Sequence, residues 1–192
     1  MTTNSGQAKS IEAGKSGHGP GDLIFMMRRL FAFFKAAAND PSSSTADGPA
    51  KGGPARLEDD IHIAAQWIST ALQSSGYDAD FTPQSMQEVE RFFDEQTKDS
   101  RAIPGGLLSQ DYGRRLFALG SYCGEVLRRE LGGNWVTDDN DPNGEINVTL
   151  ELGNNVICWP VQRVMKRVNG RENSLVHWAI SLRDGRGSIK TN

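Results

Sequence analysis

Residues 108–136 read LSQDYGRRLFALGSYCGEVLRRELGGNWV and change from a helical to a strand-like pattern. The first part of this stretch, residues 108–131, has the period of an α-helix with two unlike faces. One face carries apolar and aromatic side chains and one thiol: Leu108, Tyr112, Leu116, Leu119, Cys123, Val126 and Leu127. The opposite face is polar and is expected to be exposed: Arg114, Ser121, Glu125 and Arg128. Gly132 and Gly133 then end the helix, and Trp135 with Val136 predicts a short strand.

Three glycines, Gly113, Gly120 and Gly124, lie along one edge of the apolar face. A glycine inside a helix costs about 1 kcal/mol relative to alanine. An aligned set therefore indicates that another element approaches this backbone closely. We expect that element to be a second helix or the sheet, rather than a ligand.

Two further helices are predicted before this one. The first spans residues 57–75 and ends at Gly76, and its apolar side chains recur at helical spacing: Ile61, Ala64, Ala65, Ile68, Ala71 and Leu72. The second begins at Thr82 and Pro83, a capping residue followed by a proline suited to the first turn. Its core side chains are Met86, Val89, Phe92 and Phe93.

After the long helix the period changes from helix to strand. Apolar and polar residues alternate over residues 146–152, and residues 156–161 predict another strand. Residues 153–155, Gly-Asn-Asn, are suited to a tight hairpin between them. Beyond Pro160, a helix stopped by Gly170 and a last helix capped by Ser174 are predicted. The fold class is therefore α+β, with N-terminal helices, a three-stranded antiparallel meander and C-terminal helices.

The chain divides into segments of different character. Residues 1–21 have few large apolar side chains and are expected to be disordered. Residues 22–38 predict an amphipathic helix, tethered by a flexible Pro/Gly/Ser linker over residues 39–56. Residues 57–183 predict a single α+β domain, followed by a frayed tail over residues 184–192. The tethered helix has three possible docking places: its own body, a groove on a partner, or a membrane surface.

Charge and cysteine content limit the function classes. Residues 1–56 carry seven basic and four acidic side chains, whereas residues 57–192 carry fourteen basic and twenty acidic ones. An acidic body disfavours nucleic acid, because phosphate binding needs clustered positive charge. The two cysteines belong to no repeated spacing, which disfavours a disulfide framework or a zinc site. Because residues 23–38 are too short and too charged for a membrane span or a signal peptide, we expect a cytoplasmic protein.

Residues 139–144 resemble the beginning of a calcium-binding loop. Asp139, Asp141 and Asn143 offer oxygen ligands at alternate positions, and Gly144 allows a sharp turn. Such a loop requires a bidentate glutamate at its twelfth position, where this chain has Leu150. The preferred interpretation is a type I turn over residues 141–144 without a metal site, and weak calcium binding is the alternative.

Few residues have the pattern of a catalytic site. No phosphate loop is present around Gly14, because Lys9 stands where the motif needs its first glycine. A nucleophilic pair of Cys158 and His177 is possible, but a buried thiol beside a half-exposed ring is the simpler interpretation. We therefore predict no catalytic residue and no cofactor.

Six residues are candidates for binding a partner: Glu125, Trp135, Trp159, Arg163, Lys166 and Arg167. The last three cluster at helical spacing and offer positive charge to a phosphate or an acidic partner. The simpler interpretation is a solvated helix face whose cations favour the C-terminal dipole. The two tryptophans are expected to be neighbours on the sheet, where aromatic pairs form core and sometimes anchor an interface.

Several of these stretches together resemble a family of small bacterial domains of unknown function. The similar runs are LGSYCGEV at residues 119–126, GGNW at 132–135, Trp159-Pro160, and VMKR at 164–167. The resemblance covers about residues 81–182. It implies a fold but no catalytic residue. From the helix period itself, Glu125 is expected on the exposed face, paired with Arg128 or Arg129.

The sequence thus favours a non-catalytic protein-binding module, for example an immunity or adaptor protein that masks another protein. An acidic body and a tethered apolar helix support this hypothesis. The alternatives are an enzyme with a site that no motif reveals, and a peripheral membrane protein attached through residues 23–38.

Overall fold

The structure is a computed structural model that describes residues 56–153 and 155–185 and the strand Ser188–Ile189. The predicted disordered segment, the tethered helix over residues 22–38 and the linker up to residue 55 lie outside the described residues. Each helix that the structure describes is too short or too polar to cross a lipid bilayer.

The described chain mixes helices with two small sheets. Its helices are α1 (Leu57–Ser74), α2 (Ser85–Gln96), α3 (Tyr112–Leu131), the single turn α4 (Gly144–Asn147), α5 (Pro160–Val168) and α6 (Leu175–Arg183), with a 3₁₀ turn at Arg171–Asn173. Its strands are β1 (Thr97–Lys98), β2 (Arg101–Ala102), β3 (Gly133–Val136), β4 (Thr149–Leu152), β5 (Val156–Cys158) and β6 (Ser188–Ile189). The predicted α+β class is confirmed.

Helix α3 lies at the centre of the protein. Helices α1 and α5 pack along it most extensively, and β4 also contacts it. Its predicted apolar face is in the core, with Tyr112 packed at the edge. The predicted exposed face is wrong at Ser121 and Glu125, which are both buried. The helical period shows which face of a helix is the more polar, but it does not show whether that face is exposed. In α3, neighbours on several sides also cover the more polar face.

Two of the three aligned glycines explain how neighbours come so close to α3. A Cβ atom at Gly120 would lie 2.6 Å from the Cα atom of Val161 in α5. A Cβ atom at Gly124 would overlap the indole ring of Trp135 in β3. The expectation that a helix or the sheet requires these glycines is confirmed at both positions, because each neighbour occupies the space of a side chain.

The larger sheet has the strand order β3-β4-β5-β6, and all of its pairs are antiparallel. Its first three strands are the predicted meander. Strand β4 begins at Thr149, later than predicted, because residues 144–147 form the helical turn α4. Strand β5 ends at Cys158, since Pro160 begins α5. Strand β6 lies in the tail that was expected to fray.

Turns and caps separate these elements much as the sequence indicates. The amide of Gly144 donates to the carbonyl of Asp141 at 3.0 Å, as a type I turn over residues 141–144 requires. Ser174 caps α6, since its hydroxyl accepts a hydrogen bond from the amide of His177 at 3.2 Å. Helix α2 starts at Ser85, because Thr82 belongs to the preceding turn and supplies a carbonyl acceptor there.

Candidate functional site

A buried carboxylate, Glu125, forms the centre of a polar cluster between α1, α3 and β3. Its side chain is only 3% exposed. The indole Nε1 of Trp135 donates to Glu125 Oε1 at 2.7 Å. The guanidinium of Arg128 donates twice, from Nε at 2.8 Å and from Nη2 at 3.0 Å. Two of the predicted site residues, Glu125 and Trp135, are therefore in direct contact.

Two further basic groups complete this cluster, which we call the Glu125 cluster: His62, Glu125, Arg128, Arg129 and Trp135. Arg129 Nε lies 3.7 Å from Glu125 Oε2. His62 Nδ1 lies 3.4 Å from Glu125 Oε1, and the imidazole side chain is 44% exposed. The predicted pairing of Glu125 with Arg128 or Arg129 is confirmed, while its predicted exposure is wrong. A partly desolvated carboxylate thus lies beneath basic groups that reach solvent.

The ionisation of Glu125 follows from two opposing effects. Burial alone would raise the pKa of this carboxyl, because a charged group loses hydration. The hydrogen bonds from Arg128 and Trp135 outweigh burial, so the pKa of Glu125 lies below its usual range. The carboxylate therefore stays charged at neutral pH and can orient the imidazole of His62 as well as the indole of Trp135.

Arg167 is the centre of a second buried cluster, at the meeting point of α2, α5 and α6. Its side chain is 2% exposed. Its guanidinium binds Glu90 Oε2 at 2.6 Å and Asp94 Oδ1 at 2.5 Å. Glu90 also accepts hydrogen bonds from the backbone amides of Leu175 and Val176, at the beginning of α6. Burial by itself would lower the pKa of Arg167, but Glu90 and Asp94 raise it.

The predicted basic surface of α5 is thereby divided. Arg167 points inward, so its expected place on a solvated helix face is wrong. Arg163 is half-buried, and its Nη2 donates to the carbonyl of Ser174 at 2.9 Å. Lys166 alone of the three is exposed. Arg167 is buried because Glu90 and Asp94, which lie far away in the chain on α2, compensate its charge. The periodicity of residues within α5 could not predict these partners.

The two predicted tryptophans have different surroundings. Trp135 is buried, and its register partner in β4 is Leu150, which in turn lies opposite Cys158. Trp159 follows Cys158 by one residue and is 38% exposed. Because side chains of an extended chain alternate between faces, Trp159 lies on the opposite side of the sheet from Trp135. The sheet does not bring the two rings together.

Neither cysteine has the surroundings of a nucleophile. Cys123 and Cys158 are both buried and unpaired. Burial raises the pKa of the Cys158 thiol to about 12, and it also raises the pKa of the Cys123 thiol. Neither thiol is therefore a thiolate at neutral pH. His177 is exposed on α6, and no hydrogen bond links it to Cys158 within the described residues.

The carboxylates of the calcium-like loop accept hydrogen bonds from amide groups of the protein. Asp139 Oδ1 accepts a hydrogen bond from the amide of Leu57 at 2.8 Å and thereby caps α1. Asp141 accepts from the amide of Asn143 at 2.8 Å and from Asn147 Nδ2 at 2.7 Å. The described residues contain no group of three or more metal-ligating side chains of the His, Cys, Asp or Glu type.

The bond between Leu57 and Asp139 creates an acidic surface that was not predicted from the sequence. It brings the first turn of α1 beside the loop after β3. We call the resulting set the acidic face: Glu58, Asp59, Asp60, Asp138, Asp139 and Asp141. The two segments are 82 residues apart in the chain, so no local pattern could have joined them. The only available signal was the acidic composition of each segment.

A shallow cavity of about 160 Å³ lies between the beginning of α2 and helix α6. Met86, Val176, Ala179 and Ile180 supply its apolar wall. None of the six predicted site residues lines it. A cavity of this size is smaller than those that usually enclose a small-molecule substrate.

The fold and these clusters define the chain as a small α+β protein built around one central helix. No protein-family model matches it, and neither a curated protein nor a solved structure was found to be similar to it.

Proposed function

We propose that this chain is a non-catalytic protein-binding module, and that its acidic face binds a basic surface of another protein. The observation that carries the proposal is the joining of two acidic segments at the Leu57–Asp139 hydrogen bond. Like charges that are brought together destabilise a fold, so such a surface calls for an explanation other than packing.

Helix electrostatics account for only part of this surface. Acidic residues in the first turn of α1 stabilise its N-terminus, which explains Glu58, Asp59 and Asp60. The exposed carboxylate of Asp138 belongs to the neighbouring loop and adds further negative charge beside that turn. A basic partner would relieve this repulsion and would be steered toward the face by long-range attraction.

The same surface suits an immunity or adaptor protein, which masks a cationic site on its target. We propose that it acts in the cytoplasm, and the two unpaired, buried thiols support that compartment. An acidic face disfavours nucleic acid as the partner. The resemblance to small bacterial domains of unknown function belongs to this proposal and implies no activity.

Two pairs of substitutions test the role of the acidic face. Asp59→Asn with Asp138→Asn removes two exposed charges from it, whereas Asp78→Asn with Asp99→Asn removes two exposed charges from other loops. Full-length chains of both types are used as bait in a lysate of the cell of origin. The captured partner is then purified, and its Kd is measured at increasing salt concentration.

We expect the acidic-face pair to weaken the complex by about tenfold and to reduce its salt dependence, because rim charges act mainly on association. The control pair should bind like the unaltered chain. Equal affinities for both pairs, or a Kd that is insensitive to salt, would assign the interface to another surface.

One observation favours an enzyme as the second candidate. His62 is exposed and lies 3.4 Å from the buried Glu125 carboxylate, which is how a general base is held by an orienting acid. Hydrolysis of 4-nitrophenyl acetate by the full chain tests this idea, with His62→Gln compared against His177→Gln. A rate that falls at least about tenfold only for His62→Gln supports catalysis. Equal rates for all three proteins remove this candidate.

A further inference from the structure

The larger sheet has a second side that faces away from α3, and two of its exposed residues are large and apolar, beside the exposed Asn134 and the half-buried Thr149 and Glu151. Val136 is 45% exposed and Trp159 is 38% exposed. Val136 lies opposite Thr149 in the register of β3 with β4. Trp159 follows β5 at the position that continues this row, because Leu150 pairs with the preceding Cys158. We call this side, with Val136, Thr149, Ile157 and Trp159, the outer face.

Neighbouring strands are about 4.8 Å apart, so Val136 and Trp159 flank Thr149 within about 10 Å of each other. Ile157 is half-buried and lies in the adjoining row, opposite Glu151. The exposed Val136 and Trp159, with the half-buried Ile157 in the adjoining row, give this sheet face an apolar surface of the kind that a second element usually covers.

The chain enters the body beside this face. The amide of Leu57 is bound to Asp139, which follows Val136 by only three residues. The linker over residues 39–56 therefore leaves the described part of the chain near the end of β3 that carries Val136. Any flexible chain of this length has a root-mean-square span of about 21–25 Å, which brings the preceding segment within reach of the outer face.

The segment that precedes the linker has the matching chemistry. Residues 23–38 predict an amphipathic helix whose apolar side chains are Ile24, Met27, Leu30, Phe31 and Phe34. Its basic residues, Arg28, Arg29 and Lys35, complement the acidic body, in which twenty acidic side chains face fourteen basic ones over residues 57–192. Tethering also raises the effective concentration of the segment to the millimolar range, so even weak contacts suffice for docking.

We propose that residues 23–38 of this chain dock as an amphipathic helix on the outer face of the β3-β4-β5-β6 sheet. The sheet is then covered on both sides, by α3 on one and by this helix on the other. The apolar side chains of the segment lie against Val136, Ile157 and Trp159. This assignment concerns a surface other than the acidic face and goes beyond the proposed function.

Amide hydrogen exchange on the full-length chain tests the docking. In Phe31→Asp/Phe34→Asp, we expect exchange in peptides covering residues 133–136 and 156–159 to accelerate at least about tenfold, with a Tm lower by about 5 °C. Ile11→Asp/Ala13→Asp places the same two charges in the preceding segment and should change neither quantity. Unaltered exchange in Phe31→Asp/Phe34→Asp overturns the proposal.

A double-mutant cycle identifies the partner surface. Val136→Asp should lower Tm in the unaltered chain and have little further effect in Phe31→Asp/Phe34→Asp, because the contact is already lost. Ile63→Asp, at an exposed apolar position on α1, should be additive with the same double variant. Additive effects for Val136→Asp would place the segment elsewhere and reject the outer face.

Two further measurements separate this occupant from others. Sedimentation should show a monomer, and the hydrogen-exchange pattern should not depend on protein concentration. A dimer that dissociates in Phe31→Asp/Phe34→Asp would assign the outer face to a second copy of the chain and overturn the proposal. In flotation with vesicles containing anionic phosphatidylserine, the unaltered chain should stay unbound. Binding that weakens with salt would show residues 23–38 on a membrane, and would likewise overturn it.

Discussion

The Glu125 cluster and the Arg167 cluster are opposite arrangements of buried charge. In the first, a buried anion lies beneath basic groups that reach solvent. In the second, a buried cation lies between Glu90 and Asp94, which are more exposed than Arg167 itself. The two arginines that pair with Glu125 lie on the same helix, three and four residues away. The two carboxylates that pair with Arg167 lie on α2, 73 and 77 residues away.

This difference indicates two different tasks. The Arg167 cluster joins α2, α5 and the beginning of α6, so it secures the tertiary arrangement. The Glu125 cluster is assembled largely within α3 and presents His62 and two arginines at the surface, so it combines a structural role with available chemistry. Removal of Arg167 should therefore destabilise the fold more than removal of Glu125.

The largest effect is expected for Arg167→Met. This change leaves the Glu90 carboxylate without its cation, while Asp94 keeps only the exposed Arg171, whose Nε lies 2.9 Å from Asp94 Oδ1. Removing one partner of a buried ion pair typically destabilises a protein by about 3–5 kcal/mol. Urea unfolding of the purified variant measures this change. Lys166→Met is the matched control, because Lys166 is exposed on the same helix and should change stability by less than about 0.5 kcal/mol. Similar losses for the two variants would contradict the central place of Arg167.

A smaller loss of about 1–2 kcal/mol is expected for Glu125→Gln. The amide oxygen of glutamine can still accept from Trp135, and the basic groups left behind are exposed enough to regain hydration. The same unfolding experiment applies, with Glu172→Gln as a control at an exposed position on the 3₁₀ turn. A loss as large as that of Arg167→Met would remove the distinction between the two clusters.

The Glu125 cluster should also show a defined pH dependence. Because the pKa of Glu125 is lower in the folded protein than the ordinary value of 4.5 for a glutamate, the ionised carboxylate stabilises the fold above that pH. This contribution is lost as pH falls through the lower, folded pKa. The stability difference between the unaltered chain and Glu125→Gln should thus be constant near pH 7 and shrink below about pH 4.5. If the stability difference between the two proteins instead grew as the pH fell, the pKa of Glu125 would be raised in the folded protein rather than lowered.

The smallest change in stability is expected for Ser121→Ala, one helical turn before Glu125. Ser121 is buried, and its hydroxyl has no hydrogen-bond partner among the residues that the structure describes. Ser121→Ala therefore removes a desolvated polar group without leaving a partner behind, so stability should rise or stay within about 0.5 kcal/mol. Thermal unfolding measures this change. A loss above about 1 kcal/mol would reveal a bond of this hydroxyl.

Local patterns predicted much of the fold but little of the candidate site. The period of residues 108–131, the glycines of α3 and the hairpin after Leu152 are local signals, and the structure contains the corresponding helix, close contacts and turn. The exposure of Glu125 and Arg167 was predicted wrongly. Whether an ionised side chain is buried depends on partners that arrive from elsewhere in the chain.

The sequence by itself determined the five main helices, the three-stranded meander and the α+β class, because these properties depend on period, capping and turn residues within a few positions. The strands β1, β2 and β6 and the helical turn α4 were not predicted. Only the tertiary structure decided which polar groups are buried. Trp135 reaches Glu125 across the helix-to-strand turn, Glu90 reaches Arg167 over 77 residues, and Asp139 reaches Leu57 over 82. Such contacts form only when distant segments pack together. The spacing of neighbouring residues in the sequence does not show which distant segments will meet.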